Sequence, residues 1–425
     1  MPNITRTEIY PGVNFSYIPE EKFKNTIISF SMFTPLDKTC VSQNAVIPSL
    51  LTHSCKKYPS IKLLNQKLEE LYGASVTPSV SKIGDFQVLT ITAFSADDRF
   101  LPYKSENINN LSDLLCDLIF SPNFNDNGIF FDEDIEREKI QIIEEIKSEK
   151  NDKKIYARSK CEEIMCKNEK YGINSLGTIE DAKKLDSKTI FKAWENLLTN
   201  SVIEIITIGN QENKSIINKF KKRLGSIKRN ENLFFKTEII KKANEVIQKE
   251  EHMDVSQCKL VMGFRTETAK PDKNVPAVKV MNALLGGTPQ SKLFLNVREK
   301  LSLCYYCSSR YNASKGIMLI ESGVEQQNIE KAKKEILEQI KDIQLGNFSD
   351  LLLEETKLYL KQNIKKIEDN IETLNNWYLI QTFDETKKGP EESIKEIETV
   401  SRENVINAAL KISLDTIYIL SGSKE

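Results

Sequence analysis

Only two histidines, His53 and His252, occur among the 425 residues, in opposite halves of the chain. No site that needs two histidines close in sequence can be built from them. His53 and Cys55 are two residues apart, and on a helix such positions do not face each other; with no acidic residue nearby in sequence to orient the imidazole, a Cys/His nucleophile is not expected. Cys304 and Cys307 spell C-x-x-C, but on a strand two residues at that spacing point to opposite faces, which argues against a metal knuckle. Gly286 and Gly287, between two helical stretches, read as a helix C-cap. A phosphate loop would need more glycine and a following Lys-Ser/Thr.

Composition excludes further classes. Sixty Lys and Arg against 61 Asp and Glu leave a net charge of -1, without the basic excess that nucleic-acid binding usually needs. Hydrophobic residues make up 40% and charged residues 28%, the balance of a globular protein, and the length predicts two or three domains rather than one core. Eight scattered cysteines read as free thiols of a reducing compartment. The opening MPNITRTEIYPGVNF has no basic stretch followed by an apolar core, so no secretory signal is expected and a cytoplasmic location is. The uncharged run 40–55 is shorter than the roughly 20 residues needed to cross a bilayer, and no membrane span is predicted.

The elements that must position any site follow from periodicity. Residues 26–33 (TIISFSMF) alternate Ile28, Phe30 and Met32 against Ile27, Ser29 and Ser31, which predicts a half-buried strand. Helical patterns over 42–55 and 61–72 follow, then strands 75–80 and 86–94, helices 108–120 and 132–150, more helix, strand 202–208 and helix 214–224. After the Lys/Asn-rich stretch 226–243 the order repeats, with strand 259–265, helices 276–285 and 291–300, strands 303–311 and 317–323, and helices 328–343 and 349–367. The first strands are offset by roughly 230 residues and later elements by roughly 220, the signature of an internal duplication. The expected fold is α+β in two homologous domains, 1–228 and 244–425, joined by a linker at 229–243. Each would be an antiparallel-type β-sheet with helices packed on one face, its other face left free to line a cavity.

The stretch NAVIPSLLTHSCKKYPS, followed by NQKLEELYGAS, resembles the pitrilysin-like inverzincin metallopeptidases, the family of mitochondrial processing peptidase and insulin-degrading enzyme. In that family the helix here carries H-x-x-E-H, whose two histidines hold zinc and whose glutamate is the general base. Aligned from the KKYPS end, those positions are Ala45, Pro48 and Ser49. Ala45 has no donor atom, Pro48 cannot take a proton, and Ser49 is a poor zinc ligand when neutral, so the catalytic zinc is not built. The family's third ligand is a Glu on a later helix, which EREKIQIIEEIKSEKND resembles, with Glu145 at the matching position. The interval to it exceeds the family's by an apparent insertion around 97–110, and a lone carboxylate does not make a site.

In the second half, SKLFLNVREKLSLCYYCSS resembles the family segment in which an Arg and, seven residues on, a Tyr face the catalytic chamber. Here these are Arg298 and Tyr305. The resemblance implies that they hold the substrate's backbone and help stabilise the tetrahedral oxyanion, as a cation and a phenol O–H can. Strand parity puts Leu303, Tyr305, Cys307 and Ser309 on one face and Cys304, Tyr306, Ser308 and Arg310 on the other.

The resemblance covers nearly the whole chain and is to the bacterial YmfF-like branch, whose members lack the zinc motif and are encoded with an intact partner. It implies a non-catalytic subunit of a heteromeric pitrilysin-type zinc peptidase, inactive alone and holding no cofactor of its own. Zinc would sit only in the active partner of the heterodimer; this chain would supply a chamber wall, Arg298 and Tyr305 toward a peptide substrate. The alternative is a peptide-binding or scaffolding homodimer with no part in hydrolysis. An intact H-x-x-E-H protein encoded next door would favour the first.

Overall fold

The computed structural model describes residues 4–102, 106–210, 214–231, 233, 235–385 and 387–422. The first half runs β1 (Thr5–Tyr10), β2 (Val13–Pro19), β3 (Asn25–Pro35), α1 (Val41–Leu51), α2 (Ile61–Glu70), β4 (Ser75–Ile83), β5 (Phe86–Ala96), α3 (Asn107–Phe120), α4 (Asp132–Asn151), α5 (Lys153–Met165), α6 (Ile179–Ala182), α7 (Ser187–Asn200), β6 (Val202–Gly209) and α8 (Lys214–Leu224). The second runs β7 (Ile247–His252), β8 (Cys258–Arg265), α9 (Val275–Asn282), two wide-turned helical segments (Ala283–Gly287 and Leu293–Lys300), β9 (Cys304–Asn312), β10 (Ile317–Val324), α10 (Ile329–Gln344), α11 (Asp350–Lys365), α12 (Ile371–Leu379), α13 (Pro390–Glu398), α14 (Arg402–Leu410) and β11 (Ser413–Ser421).

The fold is α+β with two sheets. One has strand order β1-β2-β6-β3-β5-β4, the other β7-β11-β8-β10-β9. Dropping β1 makes the two orders correspond strand for strand, and the senses agree: β2 with β6 and β7 with β11 are the parallel pairs, while the other neighbours within each matching set are antiparallel. The repeated element order in the sequence is thus a repeated topology.

Two compact units form, and they do not follow the chain's midpoint. The first comprises Met1–Ile146, Ile173–Lys236 and Asp369–Lys387; the second comprises Lys147–Gly172, Thr237–Glu368 and Lys388–Glu425. Each half therefore sends one helix into the other unit, α5 from the first half and α12 from the second, so the expected division at 228 and 244 omits two exchanged segments.

This exchange overturns the expectation of a free sheet face. In the first unit the main apolar cluster packs Phe30, Met32, Leu89, Ile91 and Ile205 against the helices. The opposite face of β3 was expected to be open, yet β3 is buried on both sides along nearly its whole length. Segment 369–387 covers it: the Ser29 hydroxyl donates to Asn375 on α12 (2.8 Å), and Phe383 packs on Phe33 and Phe86. The alternation is real, but its polar half is a buried and hydrogen-bonded face, as in the Ser31 to Thr90 hydroxyl pair (2.8 Å). In the helix-side core, Phe30 stacks on Phe220 (5.9 Å between centroids) and meets the edge of Phe120 (5.8 Å). Such pairs add about 0.5–1.5 kcal/mol each beyond area burial.

In the second unit α5 lies on the face of the sheet away from α9 and α10, burying Ala157, Cys161 and Met165 against Val261, Leu319 and Tyr418. A buried ionic group fixes the end of that helix. Arg265 on β8 pairs with Asp415 (2.7 Å) and with Glu169 just beyond α5 (2.7 Å), and Lys315 also reaches Glu169 (2.9 Å). Among the described residues no helix is long and apolar enough to cross a membrane.

Candidate functional site

Helix α1 carries all three positions aligned with the zinc motif. Its sequence is apolar around most of its circumference, and Ala45 and Pro48 are buried while Ser49 is half-buried. Pro48 lacks the N–H that would bond one turn back, and the helix ends three residues later at Leu51, shorter than the expected 42–55. Asn44 on the same helix donates to Gln87 (3.1 Å), whose amide in turn donates to the Val41 and Ser175 carbonyls (2.9 and 2.7 Å). The helix is thus locked to β5 by side-chain amides. A zinc ion would find a methyl, a pyrrolidine ring and one hydroxyl at positions 45, 48 and 49, which is not a zinc donor set. Glu145 lies exposed on α4, and among the described residues no three His, Cys, Asp or Glu are grouped to hold a metal.

Two turns before Glu145 on the same helix stands a residue that the sequence reading passed over. Glu138 is 2% exposed and its Oε1 lies 3.3 Å from Nδ1 of His53, in the turn after α1. Arg137 donates to the same imidazole nitrogen (3.1 Å) and to Asp134 (2.7 Å). His53 therefore does have an acidic neighbour, 85 positions away in sequence and without any local signal. Burial lowers the imidazole pKa and outweighs Glu138, which raises it; Arg137 adds to the lowering. A neutral ring accepting from Arg137 is the consistent state. Cys55 is fully buried, paired through its backbone with Tyr58 (3.0 Å both ways), and burial raises its thiol pKa. No Cys/His nucleophile forms there.

Arg298 and Tyr305 come together at one hollow. Arg298 sits in the segment Leu293–Lys300, whose wide turns close through Leu301 N–H to the Asn296 carbonyl and Leu303 N–H to the Val297 carbonyl (3.1 Å each). Asn296 donates to Gln339 on α10 (2.6 Å) and anchors the segment. Ser302, in the left-handed region at φ 48°, then reverses the chain into β9, a conformation that costs on the order of 1–3 kcal/mol. Gly286 is no C-cap, since neither it nor Gly287 has positive φ. A Cβ at Gly286 would stand 2.7 Å from the Ser309 amide nitrogen, so the glycine lets β9 approach.

The register of β9 against β10 breaks at the critical point. Tyr306 faces Gly323 and Cys304 faces Val324, leaving Tyr305 as the extra residue of a β-bulge. Its side chain is 63% exposed. The expected parity fails for the same reason: Tyr305 is expelled, whereas Cys304, Cys307 and Ser309 are buried. The Arg298 guanidinium stacks on Phe294 (4.6 Å) and lies 3.4 Å from Glu299. Arg298, Ser302, Cys304, Tyr305, Glu325 and Asn328 line an open hollow of about 430 Å³. A guanidinium and a phenol O–H at one hollow can both donate to a carbonyl oxygen.

Known proteins agree with this fold and its defect. Residues 184–360 match the family described as the Peptidase M16 inactive domain. The chain is 31% identical over 423 residues to the "Probable inactive metalloprotease YmfF" of Bacillus subtilis (strain 168), covering 97% of this chain and 96% of that one. It is 23% identical to the "Uncharacterized zinc protease YmxG" of the same organism, over 74% of this chain and 76% of that relative. A conserved protein from Enterococcus faecalis V583 superposes with a TM-score of 0.92 at 28% identity, over 100% and 99% of the two chains. A peptidase M16 inactive domain from Pseudomonas fluorescens superposes at 0.78 with 14% identity, over 99% of each, a likeness of fold. The chain belongs to the M16, or pitrilysin-type, peptidase family, and its sequence, with His53 and His252 as its two histidines, contains no H-x-x-E-H.

Proposed function

We propose that this chain is the non-catalytic subunit of a heteromeric M16 zinc peptidase that cleaves peptides. The observation that carries the reading is a contrast between two places in the chain. The zinc positions hold buried Ala45 and Pro48, while an exposed Tyr305 and a half-buried Arg298 line a single hollow. A merely structural arginine and tyrosine gain nothing from a bulge that turns the phenol to solvent. In this reading an active partner supplies the metal and general base, and this chain supplies a wall with two hydrogen-bond donors. Arg298 and Tyr305 bind a peptide carbonyl and strengthen that bond as negative charge develops on its oxygen, which is where donors accelerate acyl transfer. The eight cysteines, free among the described residues, suit a cytoplasmic location.

The test is co-expression with an M16 chain of the same organism that carries an intact H-x-x-E-H. Joint elution on size exclusion, with peptide hydrolysis that neither chain gives alone, supports the heteromer. A stable homodimer of this chain that ignores the partner and still binds peptides supports the scaffold instead.

A further inference from the structure

The bulge at Tyr305 has a second effect, on the two cysteines that flank it. In an unbroken strand Cys304 and Cys307 face opposite ways; one extra residue between them returns both to the same side. Both belong to the apolar cluster of the second unit, at 8% and 4% exposure. Cys304 lies opposite Val324 and Cys307 opposite Ser322, two positions on one face of β10, and each thiol shifts the other's pKa, as the Ser322 hydroxyl shifts both. The pair is asymmetric. Cys304 lines the hollow beside Arg298, whereas Cys307 is sealed in the core behind it. One sulfur in the wall of the hollow beside a cation and one sealed behind it are the parts of an attacking and a resolving thiol.

We propose that Cys304 and Cys307 form a thiol–disulfide exchange site, oxidised by low-molecular-weight disulfides of the glutathione type that enter through the hollow. The Cys304 thiolate attacks one sulfur of the small disulfide, forming a mixed disulfide and releasing one small thiolate. Cys307 gives up its proton, which that thiolate takes, attacks the Cys304 sulfur and expels the second small thiolate, which takes from water the proton that Cys304 released on ionising. Two protein thiols thereby lose two electrons and two protons, and one small disulfide becomes two thiols. Closure needs the Cα atoms within about 7 Å, and the partners of Cys304 and Cys307, Val324 and Ser322, are two residues apart on β10, a step of roughly 7 Å.

The electrostatics favour this order of attack. The hydrogen bond from Cys307 holds the Cys304 thiol down at about 7 against burial, which raises it; Ser322 and Arg298 add to the lowering. Glu299 and Glu325 are the acidic groups that line the same hollow. Cys307 is held well above the ordinary thiol value, and Cys40, Cys55, Cys116, Cys161 and Cys166 are all raised. The site stands whether or not Arg298 and Tyr305 serve a partner's substrate.

The experiment treats the reduced full-length chain with oxidised glutathione at neutral pH without oxygen, blocks remaining thiols at intervals, and maps the peptides. The expected first product is an internal Cys304 to Cys307 disulfide, formed at least about tenfold faster than any other cysteine reacts. Cys307→Ser should retain one glutathione on Cys304, and Cys304→Ser should lose the fast phase while its circular dichroism stays native. The wild-type map decides the matter even if a variant fails to fold. Glutathione appearing first on another cysteine, persisting on Cys304 in the wild type, or leaving both cysteines reduced overturns the proposal.

Discussion

Cys304 and Tyr305 are adjacent in the chain, yet the thiol is 8% exposed and the phenol 63%. The register break between β9 and β10 produces that contrast. It turns the tyrosine out beside Arg298 at the hollow and the cysteine into the apolar core that forms the hollow's wall. A one-residue insertion in one strand of a pair leaves no mark in local composition, which is why strand parity misplaced Cys304 and Cys307.

Position 286 should tolerate no side chain. A Cβ on Gly286 would lie 2.7 Å from the Ser309 amide nitrogen and 2.7 Å from Leu293 Cδ1, and only the latter can move aside. Gly286→Ala should cost about 1–3 kcal/mol through overpacking, read as a lower urea midpoint with an unchanged slope. An unchanged midpoint would mean that β9 is free to retreat.

The buried ionic group should show in the pH dependence of stability. Burial raises the Glu169 pKa, but the hydrogen bonds from Arg265 and Lys315 outweigh it and hold the group below its ordinary value. The stabilisation is therefore present above the unfolded value near about 4.3 and lost as pH falls through the lower folded value. Glu169→Gln leaves Arg265 and Lys315 under-compensated and should cost about 3–5 kcal/mol at neutral pH. Urea titrations of both proteins should show this gap closing as pH drops below about 5; a gap independent of pH would assign the loss to packing.

The metal positions make a separate prediction. After dialysis against a mild chelator the purified chain should carry far less than one equivalent of zinc by elemental analysis. Ala45→His, Pro48→Glu and Ser49→His together should lower the melting temperature, because two of the three sites are in a packed core where polar groups without partners cost about 1–3 kcal/mol each. The triple variant should gain zinc affinity only if Glu145 is placed to complete the set. Zinc near one equivalent in the wild type would contradict the reading of all three positions.

Much of the fold was legible because long amphipathic stretches announce themselves. The strands around β3, β5, β8 and β10 and the helices α3, α4, α10 and α11 lie where periodicity put them. Strands β1, β2, β7 and β11 were not read. In β11 burial on both faces removes the alternation, exposed β1 and β7 have no apolar face to alternate, and β2 carries a short alternation, Val13, Phe15 and Tyr17 against Asn14 and Ser16, that was passed over. The covering of β3 by segment 369–387 and the approach of Glu138 to His53 are long-range events, invisible to any local window.

The central claim is that Arg298 and Tyr305 act on substrate in a complex whose metal belongs to another chain. Its most direct measurement is kcat/KM for peptide hydrolysis by the partner alone, by the wild-type pair, and by pairs carrying Arg298→Ala or Tyr305→Phe, with size exclusion confirming assembly. Each substitution should lower kcat/KM by about ten- to a thousandfold, as loss of an oxyanion donor does, while the complex still elutes intact. Full activity of both mutant pairs, or of the partner without this chain, would contradict the account and leave the two residues as structural.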